Sequence, residues 1–178
     1  MLRNLLFFTA LCFISCKRLD KIIYTPPQTE TKAVELIQQN QLITHKVIGV
    51  KDGDTVVLLI DGKETTVRLA HIDCPEKRQD FGTKAKQFVS DLCFGKNVVL
   101  NQQGTDRYKR IIGEIILENG VNINKELVKN GLAWHYKKYS KDDSYAQLEI
   151  YARTNKIGIW SHPTPIAPWN FRKPKKAK

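Results

Sequence analysis

Past residue 43 the apolar positions fall into a readable pattern. Val47 and Val50 lead to Asp52-Gly53, an apolar stretch follows over 55–60, and Asp61-Gly62 interrupts it. Over 64–70 the side chains alternate, with Thr66, Arg68 and Ala70 on one face and Val67 and Leu69 on the other. This predicts three strands, the second and third joined by a tight hairpin. The period then changes. Ala85, Phe88, Val89, Leu92 and Cys93 recur at helical spacing, and Gly95 ends the element. Residues 96–100 and 110–117 read as two more strands. A helix over about 124–130 stops at Gly131, and another over about 143–155 is capped by Asp142 or Asp143.

Three strands, a helix, two strands and two helices make an α+β domain that is mainly β. Five strands with a helix between the third and fourth predict a five-stranded Greek-key barrel of the OB-fold type with three helices. The domain spans 44–172 and contains no internal repeat.

The amino-terminal residues follow a different pattern. Arg3 precedes an apolar stretch over 5–14, too short to span a membrane comfortably, which runs into Phe13-Ile14-Ser15-Cys16. Residues 1–16 are expected to be a signal peptide with a lipobox-like end, lipidated at Cys16; an ordinary secretory signal and an uncleaved anchor are the alternatives. Residues 17–43 are polar, contain Pro26-Pro27 and read as a tether, with a short helix over 32–39. Residues 173–178 form a basic tail. The expected location is outside the cytoplasm, membrane-anchored through Cys16 or else secreted or periplasmic.

Charge narrows the partners. With 29 Lys and Arg against 18 Asp and Glu, the formal charge is +11, which favours a polyanion: nucleic acid or an acidic membrane surface. Four cysteines suggest two disulfides at first. Cys12 lies in the leader and Cys16 would carry lipid, which leaves Cys74 and Cys93; their pairing is open, and Cys93 also reads as a small buried hydrophobe.

Three segments carry chemistry: Asp52-Gly53-Asp54-Thr55, Arg68 through Glu76, and Asp106 through Arg110. Asp54 and Asp73 are two carboxylates at strand ends, a fit to a hard cation that takes oxygen ligands. Glu76 is three residues beyond Asp73 with Pro75 between, suited to accept a proton from water. Arg68 and Arg110 can each grip a phosphoryl group by a forked contact. An arginine on the inner face of a small barrel is costly to bury unpaired, so Arg68 should reach a pocket or a partner. Read singly, each segment is a plain turn or a surface charge; together they form a set for cation-assisted phosphodiester hydrolysis.

Those segments, in that order, resemble the motifs of the staphylococcal nuclease family: Asp-Gly-Asp-Thr, Arg-Leu-x-x-Ile-Asp-x-Pro-Glu and Asp-(Arg/Lys)-Tyr-x-Arg. The likeness extends to Phe81-Gly82-x-x-Ala85, to Gly131-Leu132-Ala133-Trp134, to Gly158-Ile159-Trp160 and to Pro168 through Arg172. It implies a nuclease in which Asp54, Asp73 and the backbone carbonyl of Cys74 bind Ca2+. Glu76 would be the general base, and Arg68 and Arg110 would contact the phosphate. Tyr108 and Tyr139 would shape the nucleotide pocket. The implied substrates are DNA and RNA, single strands preferred, cut to leave 3′-phosphate ends by a monomer. A catalytically inactive OB-fold nucleic-acid-binding module is the alternative, against which stands the presence of all five site residues. Four positions depart from the family pattern, and the loop between Glu76 and Phe81 is short. Cys74 stands where threonine or alanine is common. His71 and Lys109 stand where glycine is frequent, and Lys137 where a further pocket tyrosine occurs. His71 is read as a neighbour of the site rather than a catalyst. Trp160 and Trp169 are read as core or a terminal clasp.

Overall fold

The computed structural model describes residues 43–173. The leader with Cys16, residues 17–42 of the tether with its expected helix, and the tail beyond 173 lie outside the described residues.

Five strands close into a barrel: β1 (Thr44–Asp52), β2 (Thr55–Ile60), β3 (Lys63–Leu69), β5 (Asn97–Thr105) and β6 (Ile111–Leu117), in spatial order β1-β2-β3-β6-β5 with β5 returning to β1. All neighbours are antiparallel except β3 and β6, which pair in parallel over Val67–Leu69 and Ile111–Gly113. The predicted barrel is thus present. The β2–β3 hairpin turns on Asp61-Gly62, both at positive φ, with Ile60 opposite Lys63. Register shifts in β1 and β5 bend those strands, the usual device for closing a small barrel.

Alternation decides what faces inward. Val47, Val56, Leu58, Val67, Leu69, Val98 and Ile115 are buried in the core. Between the third and fourth barrel strands runs α1 (Gly82–Cys93), whose Ala85, Val89 and Cys93 join that core. Each such valine or leucine contributes roughly 1.5–3 kcal/mol by leaving water. Cys93 behaves as the expected small hydrophobe. Cys74 and Cys93 are both buried free thiols and are not bridged.

Two helices follow β6. For α2 (Ile123–Lys129), Asn122 caps the first turn through a bond from the Lys125 N–H. For α3 (Asp143–Thr154), Asp142 is the capping residue, settling the choice between two neighbouring aspartates. Asn124 on α2 is fully buried and satisfied: its Oδ1 accepts from Ile115 N, and its Nδ2 donates to the carbonyls of Ala70 and Gly113. It fills the gap where the short β3–β6 pairing ends.

Three features were not predicted. A two-residue strand β4 (Ile72–Asp73) pairs with β7 (Trp134–His135), placing Asp73 opposite Trp134. A 3-10 turn covers Gly158–Ser161. A short helix α4 (Pro168–Phe171) begins with proline at its first turn. Trp134 meets Trp160 and Trp169 edge-on at 4.3 and 5.5 Å, and Trp169 stacks on Tyr136 at 5.2 Å, so the tryptophans clasp the carboxyl-terminal segment to the domain.

Candidate active site

Asp54 lies in the turn between β1 and β2, next to Gly53. A Cβ on Gly53 would stand 2.7 Å from the Ala85 Cβ and 2.9 Å from that of Cys74, so only glycine lets this turn press against α1 and the segment after β4. The contact sets Asp54: its Oδ2 accepts from the Cys74 N–H at 2.7 Å, and its Oδ1 from the Thr55 hydroxyl at 3.3 Å. Asp73, in β4, is fully buried.

Arg68 joins the two carboxylates. Val67 and Leu69 are the inward residues of β3, so Arg68 stands on the outer face of the barrel wall and reaches partners there. Its Nη2 lies 3.0 Å from Asp54 Oδ2 and 2.8 Å from Asp73 Oδ1, while Nη1 donates to the carbonyls of Leu69 and Ile72. One guanidinium therefore holds two carboxylates and two main-chain oxygens.

The electrostatics remain unbalanced. Burial pushes the Asp54 carboxyl up to about 7, the nearby Asp52 and Asp73 charges add to this, and Arg68 opposes it. The rise is chiefly an effect of burial, which the Arg68 guanidinium does not offset.

Glu76 follows Pro75 and is positioned by its own loop. Its N–H donates to Gln79 Oε1, its carbonyl accepts from Gln79 N, and the Gln79 side-chain amide donates to the Ile166 carbonyl. A Cβ on Gly82 would fall 1.9 Å from the Glu76 carbonyl oxygen, so glycine there allows α1 to start against this loop. The Glu76 carboxylate is part-exposed, and its Oε1 accepts from Arg172 Nη1 at 2.7 Å. Arg172 also takes Asp73, with Nη2 at 2.6 Å from Oδ2 and Nη1 at 3.3 Å from Oδ1. Arg172 is thus a member of the cluster that sequence reasoning gave no role, one of several cations in the closing Arg-Lys-Pro-Lys-Lys run.

Arg110 precedes β6. The register sets Ile112 opposite Arg68, which puts Arg110, two residues earlier, on the same face as Arg68. Its guanidinium pairs with Asp106 at 2.8 Å, and its N–H also bonds to that carboxylate. Burial alone would raise the Asp106 carboxyl; the hydrogen bonds from Arg110 and Tyr108 outweigh it and hold the group below its usual range. Arg110 is linked to Asp106 and not to the Asp54–Arg68–Asp73 cluster among the described residues. Lys109 has φ 62° and His71 φ 69°, the conformation for which glycine is the easy residue; each costs about 1 kcal/mol there. The His71 ring bonds to Ser140 Oγ and Gln103 Nε2 and stacks on Tyr145.

Tyr108 and Tyr139 are 65% and 70% exposed. Tyr108 lies on the turn that carries Arg110, whose guanidinium carbon stands 5.7 Å from its ring centre. Tyr139 lies in the turn after β7, bonded through its N–H to the Tyr136 carbonyl, and the Tyr136 N–H bonds in turn to the His71 carbonyl. Beside β7 opens a cavity of about 490 Å³ with Trp134, Tyr136, Trp169, Lys137, Lys138 and Arg153 among its walls. Lys137 also stands 3.6 Å from the buried Glu149.

The chain matches the family described as "Staphylococcal nuclease homologue" over residues 66–162. The chain belongs to the staphylococcal nuclease family. It is 45% identical over 134 residues to an "Uncharacterized endonuclease" of Haemophilus influenzae, covering 75% of each chain. To a "Micrococcal nuclease" of Shigella flexneri it is 36% identical over 141 residues, covering 74% of this chain and 81% of that one. "Protein ParB" of Escherichia coli is 35% identical over 138 residues, covering 72% of this chain and 78% of its own. The expected family therefore holds, and with it the enzyme class, a nuclease hydrolase.

The donor chemistry suits a hard cation. Asp54 and Asp73 supply oxygen only, from two buried side chains that Arg68 brings together. No cluster of three or more His, Cys, Asp or Glu side chains suited to a metal occurs among the described residues. The side-chain contribution would thus be these two carboxylates, with main-chain oxygen and water completing the shell.

Proposed function

We propose that this chain is a calcium-dependent nuclease that hydrolyses phosphodiester bonds of DNA and RNA and leaves 3′-phosphate ends. What carries the reading is the juxtaposition of buried Asp54 and Asp73 on one guanidinium, with Glu76 joined to the same cluster through Arg172. Asp54, Asp73 and the Cys74 carbonyl would hold calcium, and the bound ion would polarise the phosphodiester.

The remaining work falls to the chain. Glu76, part-exposed at the rim, accepts the proton of the attacking water. Arg68 and Arg110 grip non-bridging phosphate oxygens, where charge grows as the bond to the leaving oxygen breaks. The Asp106 bonds orient Arg110 for that contact. Exposed Tyr108 and Tyr139 offer ring faces to bases, which a single strand presents and a stacked duplex hides. Arg3, the apolar stretch over 5–14 and Ser15-Cys16 support export and lipid attachment at Cys16.

Digestion of labelled single-stranded and duplex DNA and RNA by the purified protein tests the proposal. Cleavage in calcium is expected, faster on single strands, abolished by chelator and not restored by zinc. Full cleavage in chelator would overturn it.

A further inference from the structure

Arg172 reaches the acidic cluster from the far end of the domain, and the contact is built. Pro168 and Ala167 are buried, Trp169 stacks on Tyr136 with the rings 3° from parallel, and Gln79 of the Glu76 loop bonds to the Ile166 carbonyl. A short helix held at its start, beside it and at the loop opposite presents one guanidinium. That guanidinium spans both oxygens of Asp73 and one of Glu76. Asp73 Oδ1 is shared with Arg68 as well, so both oxygens of this fully buried carboxylate are engaged by arginine.

The consequence is competition. A divalent cation on Asp73 needs one of those oxygens, and it would then stand within a few ångströms of the Arg172 guanidinium on a fully buried carboxylate, where like charges repel. The forked contact on Asp73 and a cation on the same carboxylate therefore oppose each other. Arg68 differs: two of its bonds go to main-chain carbonyls, which hold it whatever becomes of the carboxylates. No main-chain acceptor among the described residues holds the Arg172 guanidinium, which is free to leave.

We propose that Arg172 is a built-in counter-cation of the site. Without a divalent cation, α4 latches its guanidinium onto Asp73 and Glu76; loading the cation expels it, freeing Glu76 and loosening the carboxyl-terminal segment. The inference rests on the reading of Asp54 and Asp73 as cation ligands.

The test is calcium titration of the intact protein by calorimetry, without substrate, for wild type, Arg172→Gln and Arg172→Lys, each first shown to unfold cooperatively by thermal melting. If the latch exists, Arg172→Gln binds calcium tighter by on the order of tenfold, with Arg172→Lys between. Mere loss of packing would not raise affinity. In wild type, hydrogen exchange of the amides over 168–172 should quicken when calcium is added. Equal or weaker calcium binding by Arg172→Gln would overturn the latch while leaving the cation reading intact. Exchange that is unchanged or slowed by calcium would overturn expulsion. Absence of calcium binding in every form would remove the latch together with the cation site.

Discussion

At the scale of single residues, the site is assembled from groups under tension with their surroundings. Asp54 shows this best. Its carboxyl is pushed up to about 7 from an ordinary 3.8, so the folded protein holds the proton more tightly than the unfolded chain does. Asp54 therefore costs nothing below pH 3.8, and stability is lost as pH rises from there through about 7. Asp54→Asn should stabilise the protein in chelator at pH 8 by roughly 1–3 kcal/mol, or about 3–8 °C in Tm, an advantage that fades towards pH 4. Melting curves across that range check it, and a destabilised variant at pH 8 would contradict it. Glu76 is different: part-exposed and at the rim, it can lose its charge with little effect on the fold. Glu76→Gln should keep the melting temperature and lower turnover roughly 10²–10⁴-fold, the usual span for a general base. A near-normal rate would remove it from the mechanism.

At the scale of elements, the junctions matter more than the strands. Asn124 bonds to Ile115, Ala70 and Gly113 where the parallel pairing of β3 and β6 runs out. Asn124→Leu should take this partner from the Ile115 N–H and the Ala70 carbonyl, while the Gly113 carbonyl keeps the Ala70 N–H, and cost about 2–4 kcal/mol, read as a lower denaturant midpoint with the slope unchanged. Such junctions mark the limit of what the sequence discloses. The hairpin at Asp61-Gly62 and the helix carrying Ala85, Val89 and Cys93 were legible because turn chemistry and periodicity are local. The pairing of β4 with β7 was not, since two residues have no period, and the partner of Asp73 is as remote as Trp134. Asp54, Arg68 and Asp73 were legible from motif order, and the structure does bring them together. Arg172 was not: one cation in a basic run carries no local mark, and its role depends on Trp169 finding Tyr136.

At the scale of the whole molecule, a basic chain carries an acidic cluster. The charge of +11 draws nucleic acid to the surface, while Asp54, Asp73 and Glu76 would repel phosphate unless cations stand between. Arg68, Arg172 and calcium are the candidates for that office. The proposed anchor bears on which polymer the domain meets. Wild-type protein should partition with membranes and take up a labelled fatty acid, and Cys16→Ala should lose both while still cutting DNA. Soluble wild type without lipid would make the enzyme freely secreted.

The four-residue sheet of β4 and β7 also sets a timetable. Asp73 is held in place opposite Trp134, so its position is not fixed until the chain has been made at least that far. Asn124, which closes the β3–β6 junction, is likewise late. A ribosome that has finished all five barrel strands has still not delivered the parts that aim the site. For a chain proposed to cut nucleic acid, the carboxylates proposed to hold its cation are thus among the later features to be set as the chain is made.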